Sequence, residues 1–169
     1  MEKELLAGDL DWHFLLRVLV RLSIAAVLGG AIGFQREQWG KAAGIRTHML
    51  VALGAALFVT VPLEIGMHSA DFSRVIQGLI TGIGFLGGGT ILKLSAEHQV
   101  QGLTTAAGIW ATAAVGMAVG AGSLWPAICG TVLAWVILAM LRPLEVWAHG
   151  RKSTNPPDSS SPTRPGDHP

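Results

Sequence analysis

Charge is what this sequence has least of: only 14% of its 169 residues are Asp, Glu, Lys or Arg. A water-soluble domain carries about a quarter, so a solvated globule is a poor reading. Cysteine is nearly absent. The single one, Cys129, excludes an intrachain disulfide, and its place inside an apolar run reads as a buried structural thiol. No basic stripe is interleaved with aromatics and the formal net charge is only +1, which argues against nucleic acid as a partner. Nothing has the spacing of a zinc site, and no nucleophile–base pair or pair of carboxylates stands out. Gly87-Gly88-Gly89-Thr90 lacks the lysine and the spacing of a phosphate loop. The expectation is therefore no enzyme, no cofactor and no bound metal. The first dozen residues, MEKELLAGDLDW, are acidic where a secretory leader is basic, so no cleaved signal peptide is expected.

What is present is apolar length. Half the residues are hydrophobic and 22 are glycine, and the mean hydropathy is +0.48. A hydrocarbon core of roughly 30 Å is crossed by about 20 helical residues. Runs of that order occupy residues 13–34, 47–63, 75–94, 102–121 and 123–141. The predicted fold class is all-α, a polytopic membrane bundle of about five glycine-rich helices. Residues 1–12 read as an acidic tail, 13–149 as the transmembrane domain, and 150–169, rich in Pro and Ser, as a disordered tail.

Lys and Arg in short loops set orientation. With five crossings, Arg36, Lys41 and Arg46 share one side with Lys93 and with Arg142, Arg151 and Lys152. That predicts the N-terminus outside and the C-terminus in the cytoplasm, in a bacterial inner membrane.

Helices in lipid associate by close backbone approach, which small residues spaced by four permit. Gly29 and Gly33 have that spacing in the first span. Gly78 and Gly82, then Gly84 and Gly88, have it in the third, and Gly108, Thr112, Gly116 and Gly120 in the fourth. The expectation is a tight bundle of spans one, three and four. The run Gly87-Gly88-Gly89 leaves two readings, an unwound segment of the kind that binds solutes in transporters or a continuous packing helix. A faint internal echo pairs Ile32-Gly33-Phe34 with Ile83-Gly84-Phe85, and Ala55-Ala56 with Ala113-Ala114, as a parallel duplication.

Polar residues inside such runs demand partners. Arg21 lies one turn, about 6 Å, deeper than Arg17 and should face protein. Glu64 or Asp71 is its natural partner, either to fix helix registry or as part of an ion pathway. On the inner side gather Arg36, Glu37, Lys41, Arg46, Thr47 and His48, with Lys93, Thr104 and Thr105. Thr47 and Thr105 are candidates to cap helix N-termini. His48 is expected to hydrogen-bond a neighbour. One carboxylate amid cations makes a poor magnesium site, and the rim fits an anion, an acidic protein or anionic lipid.

Four ordered runs resemble the MgtC/SapB family of bacterial inner-membrane proteins: RLSIAAVLGGAIGFQRE from Arg21, GIRTHMLVALGAALF from Gly44, TGIGFLGGGTILK from Thr81 and GLTTAAGIWATAAVGMAVGAG from Gly102. The resemblance implies five helices and a cytoplasmic C-terminus. It also implies a role in growth at low magnesium and survival in the host, and regulation of the proton-driven ATP synthase by membrane contact. Members usually have glutamate where this chain has Gln35, and the prototype carries a soluble C-terminal domain where this chain has its tail. By resemblance the residues to test are Arg21, Glu37, Arg46, Thr47, His48, Thr104 and Thr105. The function expected is a non-enzymatic membrane protein acting by helix contact with a membrane partner or with itself as a homo-oligomer; transport of magnesium or another small ion is the alternative.

Overall fold

A computed structural model describes residues 12–94 and 99–140. Its elements are α1 (Trp12–Gln38), α2 (Ile45–Glu64), α3 (Ser69–Gly89), β1 (Leu92–Leu94), β2 (Gln99–Gln101), α4 (Leu103–Gly120) and α5 (Leu124–Met140). The helical bundle expected from the apolar runs is present. α1, α2 and α4 are each long and apolar enough to cross a membrane, and α5 is a shorter apolar helix. α3 deviates most from its expected span. The polar stretch before it is already helical, with Asp71 in the first turn complementing the helix dipole. At its other end the helix runs unbroken through Gly89, where Thr90 closes it by donating to the Gly87 carbonyl at 2.8 Å. The glycine run is thus not unwound. The residues that follow form a small antiparallel hairpin, with Leu92 opposite Gln101. The expected acidic tail before Trp12 and the tail at 150–169 lie outside the described residues, as do Arg142, Arg151 and Lys152.

The tight core is made by α1, α2 and α4, a correction to the expectation of spans one, three and four. The reason is that α2 presents alanine to its neighbours' glycines. A methyl group built on Gly29 would lie 2.7 Å from Cβ of Ala52, and one on Gly33 would lie 2.8 Å from the carbonyl oxygen of Gly44. From the other side, Gly116 rests against the carbonyl of Ala52, and a methyl on Gly120 would lie 2.5 Å from that of Ala56. Gly108 is buried on the same face, with the His48 ring 3.5 Å from where its Cβ would be. Ala52 and Ala56 are completely buried between these backbones. In lipid no hydrophobic driving force separates helix from tail, so dispersion at this short range holds the trio together.

α3 is attached more loosely. Only Ile83 and Gly87 are buried along it, and Gly87 meets Ala106 at an ordinary 3.6 Å. Gly78, Gly82, Gly84 and Gly88 are exposed, with nothing among the described residues within 4 Å of an added Cβ. Their assignment to packing within the bundle is therefore corrected, because the inward face of α3 is the one carrying Leu79 and Ile83. The echoed alanines Ala55 and Ala113 do meet, in one cluster with Ile83 and Ile109. Cys129 is also corrected. It is exposed, because α5 turns Ala127 and Thr131 inward instead.

The outer surface is apolar. Val27, Leu50, Phe58, Phe85 and Leu133 are each at least 60% exposed, an aggregation hazard in water and the normal solvated state in lipid. This is a multi-pass membrane protein. Overpacking a dense core costs about 1–3 kcal/mol, so Gly116→Leu is expected to lower the thermal unfolding midpoint in detergent and broaden the gel-filtration peak. Gly82→Leu should leave both unchanged.

Candidate functional site

The last turn of α1 carries three consecutive polar side chains, and helical geometry points them in three directions. Gln35 donates through Nε2 to the Trp135 carbonyl on α5 at 3.2 Å. Arg36 donates through Nη2 to Oγ1 of Thr105 on α4 at 2.6 Å. The Glu37 carboxylate accepts the backbone N–H of Ile45, at the start of α2, at 2.8 Å. Gln35 and Arg36 are 3% and 1% exposed. One turn of helix thus ties α1 to each of the helices it approaches at this end.

Capping differs from the expectation. Neither Thr47 nor Thr105 caps its helix, and neither N-cap glycine, Gly44 or Gly102, has a side chain to do so. At α2 the task falls to Glu37, reaching back from eight positions earlier. Its carboxylate sits where the helix dipole favours negative charge. Gly44 leaves it room, since a Cβ there would lie 2.6 Å from Oε2. Thr105 instead accepts the buried arginine.

Below this end, His48 is wholly enclosed between α1, α2 and α4. Nδ1 lies 2.7 Å from Oγ1 of Thr112, and that hydroxyl donates to the Gly108 carbonyl at 2.9 Å. The ring therefore donates its Nδ1–H to Thr112. Among the described residues, buried Nε2 has no hydrogen-bond partner, and neither has Oε1 of Gln35. The expected neighbour of His48 exists, and it is a residue the sequence presented only as a small one on a glycine face.

The remaining candidates form a rim. Glu37, Lys41, Arg46 and Thr47 line one depression of about 470 Å³. Arg36, Lys41, Thr104 and Thr105 contribute to another of about 480 Å³. Arg46, Thr47 and Thr104 are exposed. Arg21 stands apart at the opposite end, where its Nη1 is 3.3 Å from Oε1 of Glu64 and Nη2 closes on Gly122 in the α4–α5 turn. The ion pair chosen is Glu64; Asp71 is exposed. Among the described residues no three His, Cys, Asp or Glu side chains converge as metal ligands.

The MgtC family model matches residues 22–147, a stretch containing every residue named at the basic end. The chain belongs to the MgtC family. YhiD of Escherichia coli (strain K12), provisionally named a magnesium transporter, is 41% identical over 133 residues, covering 75% of this chain and 61% of that protein. Protein SrpB of Synechococcus elongatus is 40% identical over 154 residues, covering 85% and 83%. Protein MgtC of Brucella abortus is 43% identical over 133 residues, covering 79% and 55%. The match thus spans less than two-thirds of the length of YhiD and of the Brucella protein. No solved structure matches the chain. Within the MgtC family this chain has Gln35 at a site where the resemblance leads one to expect glutamate, and the position is buried against α5.

Removing a partner from a buried donor costs about 1–3 kcal/mol. Thr112→Val, which strands the His48 N–H, is expected to destabilise the bundle by that amount in a denaturant titration in mixed micelles. Thr47→Val, at an exposed position, should stay within about 0.5 kcal/mol of the parent.

Proposed function

We propose that this MgtC-family chain is a non-enzymatic inner-membrane protein that acts through helix contacts inside the bilayer, with the outward face of α3 as its contact surface. The observation that carries the reading is the open glycine face at Gly78 and Gly82. It floors an apolar groove of about 450 Å³ walled by Phe58, Val75, Leu79 and Leu86. Small residues four apart between larger walls accept the backbone of another transmembrane helix at close range. The occupant is an apolar helix of a second inner-membrane protein. The resemblance points to the membrane sector of the proton-driven ATP synthase, in adaptation to low magnesium, acid or host stress. The basic end, with Lys41 and Arg46, faces the cytoplasm in this reading.

Passage of magnesium is the second reading, favoured by the name that YhiD carries. Three features at the basic end weigh against it. Arg36 is buried there, Lys41 and Arg46 flank the depressions, and the Glu37 carboxylate is engaged with the start of α2. A divalent cation entering at this end meets like charge.

ATP-driven proton pumping in inverted membrane vesicles separates the readings. The parent chain should lower pumping and Gly82→Leu, still folded, should restore it. Saturable magnesium uptake by liposomes holding the purified chain, lost on Arg21→Ala, would instead establish transport. A self-associated particle by native mass measurement, dissociated by Gly82→Leu with pumping unaffected, would assign the groove to a second copy.

A further inference from the structure

α3 crosses the membrane because its neighbours leave it no other course. α2 and α4 both start beside the last turn of α1, at Ile45 and Thr105. They run in step, with Ala52 against Gly116 and Ala56 against Gly120. The helix that joins the end of one to the start of the other must return through the same thickness, and its 21 residues reach about 31 Å. Yet α3 is not among the helices long and apolar enough to cross by themselves. It carries an outward polar line instead. Arg74, Gln77, Thr81, Gly84 and Gly88 recur at intervals of three and four, which keeps them on one side of a helix, and all five are exposed. In α2, α4 and α5 the reverse holds for Thr60, Thr112 and Thr131, which are buried. Gln77 lies about 12 Å along the helix from Ser69, and no described residue bonds its side-chain amide. A polar group left without a partner in hydrocarbon is costly. The line therefore requires a cover that brings hydrogen bonds with it.

We infer that a second copy of this chain covers the line, two α3 helices packing in parallel about a two-fold axis along the bilayer normal. Both copies have the same orientation in one membrane, so along such an axis each position of the line meets itself. A glutamine amide both donates and accepts, and two Gln77 side chains thus satisfy each other. The Thr81 hydroxyl already donates within its own helix, to the Gln77 carbonyl at 2.9 Å, and its oxygen is left to accept the second amide hydrogen. Gly84 and Gly88, with no described residue within 4 Å of an added Cβ, let the backbones approach over the next turn. Nearer the helix start Asp71 and Arg74 are both exposed, and among the described residues neither is in an ion pair. Arg74 against Arg74 alone would repel. Asp71, three positions earlier, offers each guanidinium a carboxylate of the other copy, and the two charges of each copy cancel. An apolar helix of another protein would leave Gln77 and both charges unmatched, so the chemistry of the line selects a second copy. The line lies roughly a third of a turn around α3 from Gly78 and Gly82, which makes this contact separable from the one at the apolar groove.

The test uses the full chain. Sedimentation equilibrium in density-matched micelles is expected to show a monomer–dimer equilibrium. Gln77→Leu should weaken it by about three- to thirtyfold, the range set by interhelical hydrogen bonds in membranes, and Gly84→Leu should abolish it. Both positions are exposed, so the helical content by circular dichroism should stay that of the parent. Gly82→Leu should leave the dimer intact, so that loss of this contact and loss of the groove contact are read separately. In a Cys129→Ser background in liposomes, mild oxidation of the Gly84→Cys variant is expected to give a disulfide-linked dimer, and that of Gly82→Cys is not. The inference is overturned if the chain is monomeric at every concentration, or if Gln77→Leu and Gly84→Leu associate as the parent does. It is equally overturned if Gly82→Cys cross-links in place of Gly84→Cys, which would seat the second copy in the groove.

Discussion

The contact on which this molecule depends is the seat of Ala52 between the backbones of two other helices. Gly29 of α1 and Gly116 of α4 press on it from either side, and it is fully buried. Any larger side chain at one of the three positions would push a helix outward. The same geometry recurs one turn further along, where Ala56 meets Gly120 and Thr60 donates to the Gly120 carbonyl at 3.3 Å. In a bilayer the apolar effect that gathers helices in water is absent, so this repeated close approach must supply the cohesion. α2 becomes the axis of the fold, with α1 and α4 on it and α3 and α5 outside.

Once the backbones are that close, polar side chains at the helix ends are forced into defined partnerships. Gln35, Arg36 and Glu37 could not all be satisfied on one face of α1. Divided among three neighbours, they become the clasp of the basic end. At the other end a single pair, Arg21 with Glu64, performs the equivalent task. Its side chains are about a third and a fifth exposed, so it contributes about 1 kcal/mol or less and acts more as a register mark than as a source of stability. The enclosed His48–Thr112 bond is buried within the trio.

Much of this was legible in the residues. Apolar length placed α1, α2, α4 and α5 within a few positions, and spacing by four identified the buried faces of α1 and α4. α3 was legible only in part. Four-residue spacing shows that a helix has a smooth face, but the choice between turning it inward or to lipid rests with the opposite face. Leu79 and Ile83 offered that face more apolar surface. The partner of Glu37 was hidden for a different reason. Proximity along the chain favoured Thr47 and Thr105 as caps, whereas the carboxylate arrives through the turn that Gly40, at φ +61, allows the chain to make. Thr112 was read for its size when its hydroxyl was what mattered. Cys129 fell in an apolar run that surrounds α5 on all sides, so hydropathy held no information about its direction. The names of relatives added the family and left mechanism to be argued from these groups.

The outward direction of Cys129 has a practical meaning. It is the one thiol in the chain, and it is exposed on the apolar helix α5. A nitroxide or fluorophore attached there occupies a unique, native attachment point without any background to remove. Electron resonance between such labels would measure how far apart two copies sit in the same bilayer, and quenching by brominated lipids would report the depth at which the helix rests.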